Sequence, residues 1–374
     1  MRPRLLISFA FALSLLIISA CSDDKLLPTP LATLKTSTAT PAPSQAPQPT
    51  ATPTIPAPTV KPSPALATVR FMAGFRPQAD LPFVAAYVAK EKGFFAEQGL
   101  NVEISHAFQS EHLRLLLANE IDVTTANADS VIRNRAATQA PIKAIALFGQ
   151  QSEQAYAVLK DSGINSPKDF EGKTVGYRTA ATPDYLAMLK LTGTDRSKIK
   201  EVPVTFDPRL LTEKKVDVYP VFLSNEPFTL KQIGFEVKTF SGADYGVPTL
   251  GLTYIVKEDS LAAKLEVYQR FLKAAMKGLY YARNNIDEAV DITLTYAKDA
   301  SREQQKFLML SEMDRAVTQE TLKNGLGWMT EAQWMSLHDS LLQYNAIAAQ
   351  VPTALLYDDS FLKSIYKDGK LIWP

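Results

Sequence analysis

The sequence predicts an α/β fold in two lobes with a cleft at their junction. Two observations carry that reading. Strand-like and helix-like stretches alternate from residue 69 to 159 and again from about 163 to 256, the signature of α/β sheets. The body from about residue 69 to 374 is also long enough for a large core divided between two lobes.

VRFMAG at 69–74 reads as a short buried strand. LPFVAAYVAKEK at 81–92 has helical spacing, with Phe83, Ala86, Tyr87 and Phe94 near one face. Pro82 suits the first helical turn and Asp80 is placed to cap it. Residues 102–105 alternate like a strand, 110–119 are helical, 122–125 form a strand and 129–137 a helix. Strands follow at 142–148 and 155–159. The second unit opens on turn chemistry, SPKDFEG at 166–172, then a strand at 174–177 and a helix at 182–191. Further strands are expected at 202–205, 216–219 and 235–239, with helices between, and 250–256 returns as a strand. From 260 onward the chain reads as mostly helical, with YQRFLKAAMKGLYYARNN (268–285) the clearest amphipathic stretch. This division gives 68–158 and 247–374 to lobe 1 and 159–246 to lobe 2. Ligands of open α/β sheets bind where loops leave the carboxyl ends of strands. The candidate loops are therefore 75–82, 126–130, 148–151, 177–184, 219–227 and 240–248.

The start of the chain has the features of an export leader. Arg2 and Arg4 precede an apolar run, 5–18, broken only by Ser8 and Ser14, and small residues lead to Cys21. That run is shorter than the ~20 residues that span a bilayer. Residues 1–20 are thus expected to be a signal peptide, and Cys21, the only cysteine, a lipidated residue holding the protein on the extracytoplasmic face of the cell membrane. An ordinary signal peptide with an incidental cysteine is the alternative. Residues 21–67 read as a disordered linker. Residues 28–67 hold 11 of the 24 prolines, no acids and no aromatics, so they cannot bury enough surface to offset ordering. A body without cysteine excludes disulfides and thiolate catalysis. A net charge of +1 leaves no nucleic-acid footprint.

Catalytic chemistry is sparse. The three histidines, His106, His112 and His338, have no motif partner, and no HExxH, GxSxG, P-loop or GxGxxG occurs. No cofactor, metal or catalytic residue is expected. Binding chemistry is richer. In FRPQADLPF, Arg76 and Gln78 offer donors and Phe75 a flat apolar face. Asn127 sits in the loop after the 122–125 strand. In YRTAATPDY, Arg178, Thr179 and Thr182 lie where a helix begins, so free backbone N–H groups favour an acceptor, and Tyr177 and Tyr185 flank the loop. Tyr219 ends its strand, and SNEP follows at 224–227. Asn225 donates and accepts, while an ionised Glu226 accepts only, so the pair can read the edge of a polar ring. A capping Asn beside a solvated Glu explains the same residues.

Four segments carry a family resemblance: YVAKEKGFFAEQGLNVEI at 87–104, SPKDFEGKTVGY at 166–177, SNEP at 224–227 and NGLGWMTEAQW at 324–334. On these the body resembles the substrate-binding proteins of ABC importers, in the SsuA-like group that includes the thiamine-pyrimidine-synthase-like proteins. The resemblance implies a type II periplasmic-binding-protein fold with a central cleft and hinge, one small-molecule ligand and a permease partner. SNEP and the Gly-Leu-Gly-Trp stretch look like the branch that binds aromatic heterocyclic vitamins or their precursors. FRPQADLPFVAAYVAKEKGFF looks most like the riboflavin-binding lipoproteins. That likeness implies riboflavin as ligand, with a hydroxymethylpyrimidine-type thiamine precursor as the alternative. Phe75, Tyr177, Tyr185, Tyr219 and Tyr245 are then candidates for ring stacking, and Arg178, Thr179 and Thr182 for ribityl hydroxyls. The chain departs from the yeast-type synthases in lacking their cysteine-rich motif, which argues against an enzyme.

Overall fold

A computed structural model of the chain describes residues 66–178 and 180–374. The expectations for the leader, Cys21, the linker up to residue 65 and Thr179 lie outside the described residues.

Lobe 1 opens with β1 (Ala67–Ala73), α1 (Leu81–Glu91), α2 (Phe94–Glu97), β2 (Leu100–His106), α3 (His112–Leu117), β3 (Val123–Asn127), α4 (Ala128–Thr138) and β4 (Ile142–Leu147). The chain then crosses to lobe 2. There it forms β5 (Gln154–Leu159), β6 (Thr174–Tyr177), α5 (Pro183–Leu191), β7 (Lys200–Pro203), α6 (Arg209–Thr212), β8 (Tyr219–Phe222), α7 (Glu226–Gln232) and β9 (Val237–Ser241). It returns to lobe 1 with β10 (Leu252–Lys257) and ends in helices α8 (Leu265–Asn284), α9 (Ile286–Tyr296), α10 (Arg302–Ala316), α11 (Gln319–Asn324), α12 (Glu331–Gln343) and α13 (Ser360–Ile365).

The lobe 1 sheet has strand order β2-β1-β3-β10-β4. β1 is parallel to β2 and β3, and the returning β10 is antiparallel to β3 and β4. Alternation sets the faces: Val69, Phe71 and Ala73 of β1 are buried, while the residues between them are half-exposed. α1 is buried along almost its whole length, as a helix that is apolar all round must be. It packs against α8 at very close range. A Cβ on Gly278 of α8 would lie 2.3 Å from the Ala85 carbonyl oxygen, so only glycine fits. One large apolar core unites the sheet, α1 and the C-terminal helices.

Lobe 2 is built differently. β8-β5-β9 form an antiparallel sheet, and β6 and β7 form a separate parallel pair. Its apolar side chains fall into two smaller clusters, one around Tyr156, Phe170 and Tyr185, the other around Leu211, Tyr219 and Leu230. The two crossing segments touch between the lobes. Gly251 N–H donates to the Gly149 carbonyl at 2.7 Å, and a Cβ on Gly149 would sit 2.7 Å from Gly251 Cα.

Three local expectations are corrected. The strand at 154–159 pairs with β8 and β9, so it belongs to lobe 2, and the crossing falls just after Phe148. The strand expected at 216–219 begins at Tyr219 and ends at Phe222, which moves its cleft end by three residues. Asp80 occupies the N-cap position of α1, but its carboxylate makes no capping bond. Instead Gln78 donates to both Asp80 oxygens at 3.0 Å, and the Leu81 N–H donates to Glu312 Oε2 at 2.8 Å.

Candidate functional site

A cavity of about 500 Å3 lies between the lobes. Lobe 1 contributes the loops at the carboxyl ends of β1, β3 and β4, where an α/β sheet puts its ligand. Lobe 2 contributes Phe206, Phe222 and the start of α7. Five phenylalanines, Phe75, Phe83, Phe148, Phe206 and Phe222, supply flat apolar surface. Phe83 and Phe148 are buried in the wall, whereas Phe206 is 63% exposed at the mouth. The Arg76 guanidinium lies 5.4 Å above the Phe75 ring at the opposite lip.

The lobe 1 side of the cavity carries carboxyls. Asp80 and Glu312 line it, and Glu153 joins them from the crossing segment, bonded to Arg315 at 2.9 Å. Burial lifts all three acids above the ordinary carboxylate range, and for Glu312 the nearby Asp80 and Glu153 add to it. A charge on Asp80 disfavours ionisation of Glu312, so the two acids oppose carrying full charge together. Such a pair can accept a hydrogen bond and donate one at adjacent positions.

The lobe 2 wall is held by Arg178. Its guanidinium lies 4.4 Å from the Phe206 ring centre and 4.9 Å from that of Phe222, stacked against both. It donates to Glu226 Oε1 at 2.5 Å and to the Pro220 carbonyl at 3.1 Å. Glu226 Oε2 accepts from the Phe222 N–H at 2.7 Å. Glu226 is only 3% exposed, so both of its oxygens serve inside the wall as well as facing the cavity. The lobes also meet directly at one end of the cleft. Gln304 Nε2 on α10 donates to Asn225 Oδ1 at 2.6 Å, and Phe228 packs on Phe307 with ring centres 5.1 Å apart.

The residues singled out in the sequence divide into three groups. Phe75, Arg76, Gln78, Asn127, Asn225 and Glu226 line the cavity together. Arg178 stands behind it as a strut, and Thr182 lines a smaller adjoining pocket. The remaining tyrosines do not line the cavity. Tyr185 and Tyr219 are corrected as stacking residues, because both are packed in the lobe 2 cores, and the Tyr219 hydroxyl donates to the Thr205 carbonyl at 2.7 Å. That burial pushes the Tyr219 phenol up to about 12. Tyr177 ends β6 half-buried, and Tyr245 packs against the Tyr185 cluster, so neither reaches the cavity.

Sequence reasoning missed Phe148, Phe206, Phe222, Glu153 and the α10 face. That face had a signal. Gln304, Leu308, Glu312 and Arg315 recur at spacings of four, four and three, which puts them on one side of a helix. Of the histidines, His106 meets the Tyr87 hydroxyl at 2.6 Å and His338 accepts from the Val351 N–H at 3.0 Å. His112 is 9% exposed and lines the cavity, with burial lowering its pKa.

Two α/β lobes joined by two crossing segments, with a ligand-sized cavity between them, define the periplasmic-binding-protein fold. A solved structure with this architecture is the periplasmic aliphatic sulphonate binding protein SsuA from Escherichia coli. It superimposes with a TM-score of 0.59 at 14% identity, covering 78% of this chain and 92% of that one. The chain belongs to the NMT1/THI5-like family, whose pattern it matches over residues 81–289. Among its relatives is the formylaminopyrimidine-binding protein of Halalkalibacterium halodurans, 27% identical over 75% of this chain and 88% of the relative. Another is the riboflavin-binding protein RibY of Chloroflexus aurantiacus, 24% identical over 94% of this chain and 95% of the relative.

Proposed function

We propose that this chain is the substrate-binding subunit of an ABC importer, tethered through lipid on Cys21 to the extracytoplasmic face of the membrane, and that its ligand is riboflavin. The observation that carries the ligand class is the cavity itself. Five phenylalanine rings line about 500 Å3, interleaved with polar side chains from both lobes that include Asp80, Asn127, Asn225, Glu226 and Gln304. Planar aromatic ligands with polar edges stack on such rings and are oriented by the polar groups between them. A relative that binds riboflavin and aligns along almost the whole chain supports the choice of flavin. Binding here is reversible and without turnover. A ligand that touches both walls favours the closed arrangement, which presents the two lobes together to a permease.

The test is a fluorescence titration of the purified chain with riboflavin. Saturable quenching of flavin emission at submicromolar concentration is the expected result. Absence of quenching up to high micromolar riboflavin would sink the flavin reading.

One observation favours a second ligand. Three carboxyls, Asp80, Glu153 and Glu312, line the cavity, and a carboxylate accepts from the amino group of an aminopyrimidine. The relative that binds formylaminopyrimidine agrees with that chemistry. Calorimetry with formylaminopyrimidine separates the two readings, since heat released by that compound without flavin quenching selects the pyrimidine.

A further inference from the structure

A second pocket, about 120 Å3, opens beside the main cavity and shares Asp129, Arg133, Ser152 and Gln154 with it. It holds no ring-stacking wall. Its polar lining comes from both lobes: Asp129 and Arg133 on α4 and Ser340 on α12 from lobe 1, Thr182 and Asp184 at the start of α5 from lobe 2. We propose that this side pocket is the subsite for a polyhydroxylated chain carried by the ring in the main cavity. The inference rests on the flavin reading above, and it names the residues that select the tail.

Three observations point to hydroxyls rather than another group. The pocket is about a quarter of the volume of the main cavity, too small for a second ring system beside the first. Its functional groups are mixed. Arg133 can only donate, an ionised Asp129 or Asp184 can only accept, and the Thr182 and Ser340 hydroxyls do both. An apolar tail would leave these groups desolvated without partners, and an ammonium tail, which only donates, would leave Arg133 unanswered. Hydroxyls, which donate and accept, satisfy every member of the set.

The third observation concerns the two acids. Asp129 is bonded to Arg133 at 3.0 Å, while among the described residues no cation pairs with Asp184. Burial raises both carboxyls above their ordinary range, and Asp129 pushes Asp184 further in the same direction. One acid belongs to each lobe, so closing the cleft without a ligand presses two carboxyls together. A chain whose hydroxyls donate to both removes that opposition and ties the lobes. The tail then contributes to closure as well as to affinity.

The experiment compares riboflavin with lumiflavin, which has the same ring system and a methyl group in place of the ribityl chain. Both are titrated by fluorescence against the full-length chain and its Asp184→Asn and Thr182→Val variants. The wild-type protein is expected to bind riboflavin tighter than lumiflavin by about tenfold or more, because buried polar groups left unpaired weaken binding strongly. In each variant the ratio of the two dissociation constants is expected to fall several-fold. Equal affinities in the wild-type protein, or an unchanged ratio in both variants, would overturn the subsite while leaving the flavin reading in place. Saturation by neither flavin would overturn the flavin reading and with it the occupant named here. The wild-type comparison needs no substitution, so a variant that fails to fold does not rescue the proposal.

Discussion

Lobe 1 meets the cleft with a carboxyl pair, Asp80 buried and Glu312 half-buried, set over one large core, whereas lobe 2 meets it with an arginine clasped between two phenylalanines over two small cores. The difference follows from what lies behind each wall. Lobe 1 can hold a side chain in place by packing alone, since α1, α8 and the sheet close around it. Lobe 2 has short strands and little apolar depth, so a charged strut fixes the rings that packing cannot. A polar contact on the lobe 2 face is therefore structural as well as functional, while a polar contact on the lobe 1 face can be altered with less risk to the fold.

The sharpest way to break that contrast is to remove the strut. Arg178→Ala leaves Glu226 buried with no cation beside it. Breaking a buried pair in this way costs about 3–5 kcal/mol. Urea denaturation is expected to record a loss of that order, together with loss of ligand binding. Arg178→Lys keeps the charge but not the planar guanidinium stacked on Phe206 and Phe222, and is expected to recover part of the stability and little of the binding. Wild-type stability in the alanine variant would mean that lobe 2 packs its own wall after all.

The matching test in lobe 1 is Gly278→Ala. Alanine is better than glycine in a helix interior by about 0.8–1 kcal/mol, so propensity alone predicts stabilisation. The new Cβ would instead lie 2.3 Å from a main-chain oxygen of α1 that cannot swing aside. Overpacking of this kind costs about 1–3 kcal/mol, and the net change in denaturation free energy is expected to be a loss. A gain would show that α8 slides freely on α1.

Much of this contrast was legible in the sequence, though unevenly. Clean alternation in β1 and the helical spacing of α1 gave both elements close to their observed bounds. The run VDVYPVFLSN has no period-two pattern to set its register, so Tyr219 was read as the cleft end of β8 when Phe222 is. The observed bounds give the cavity Phe222 in place of Tyr219. SNEP was found because Asn225 and Glu226 stand out locally. The strut behind it was not, because Arg178 and Glu226 come together only through the fold of lobe 2. The carboxyl pair was hidden for the same reason: the hydrogen bond from Leu81 to Glu312 joins residues 231 apart in the chain. Composition and spacing report what is near in sequence, and the floor of this cleft is assembled from segments that are far apart.

The carboxyl pair yields a smaller effect with a distinctive pH signature. Folding raises the Glu312 pKa above its ordinary 4.5, so the neutral acid is the form the fold accommodates. That contribution is fully present below the ordinary value and is lost as pH rises through the raised one. Glu312→Gln keeps an oxygen to accept from Leu81 but cannot ionise. The unliganded variant is expected to melt above the wild-type protein at pH 7, with the gap closing as pH is lowered toward 4.5. A gap that is constant across this range would show that Glu312 is not the group carrying the penalty.

The smallest expected effect falls where the two walls touch. Gln304 belongs to lobe 1 and Asn225 to lobe 2, and their 2.6 Å hydrogen bond exists only while the lobes are together. A single hydrogen bond contributes about 0.5–1.5 kcal/mol net. If the bond forms on closure, its loss in Gln304→Ala appears in ligand affinity, a weakening of about two- to tenfold at 1.4 kcal/mol per decade. Urea denaturation of the unliganded protein would change little, because neither lobe's core includes the pair. Calorimetry reads the first quantity and denaturation the second. Unchanged affinity with lowered stability would mean that the bond persists in the open protein. The lobes would then be joined at that end of the cleft whether or not a ligand is present, and the ring wall and the side pocket would do the work of closure without it.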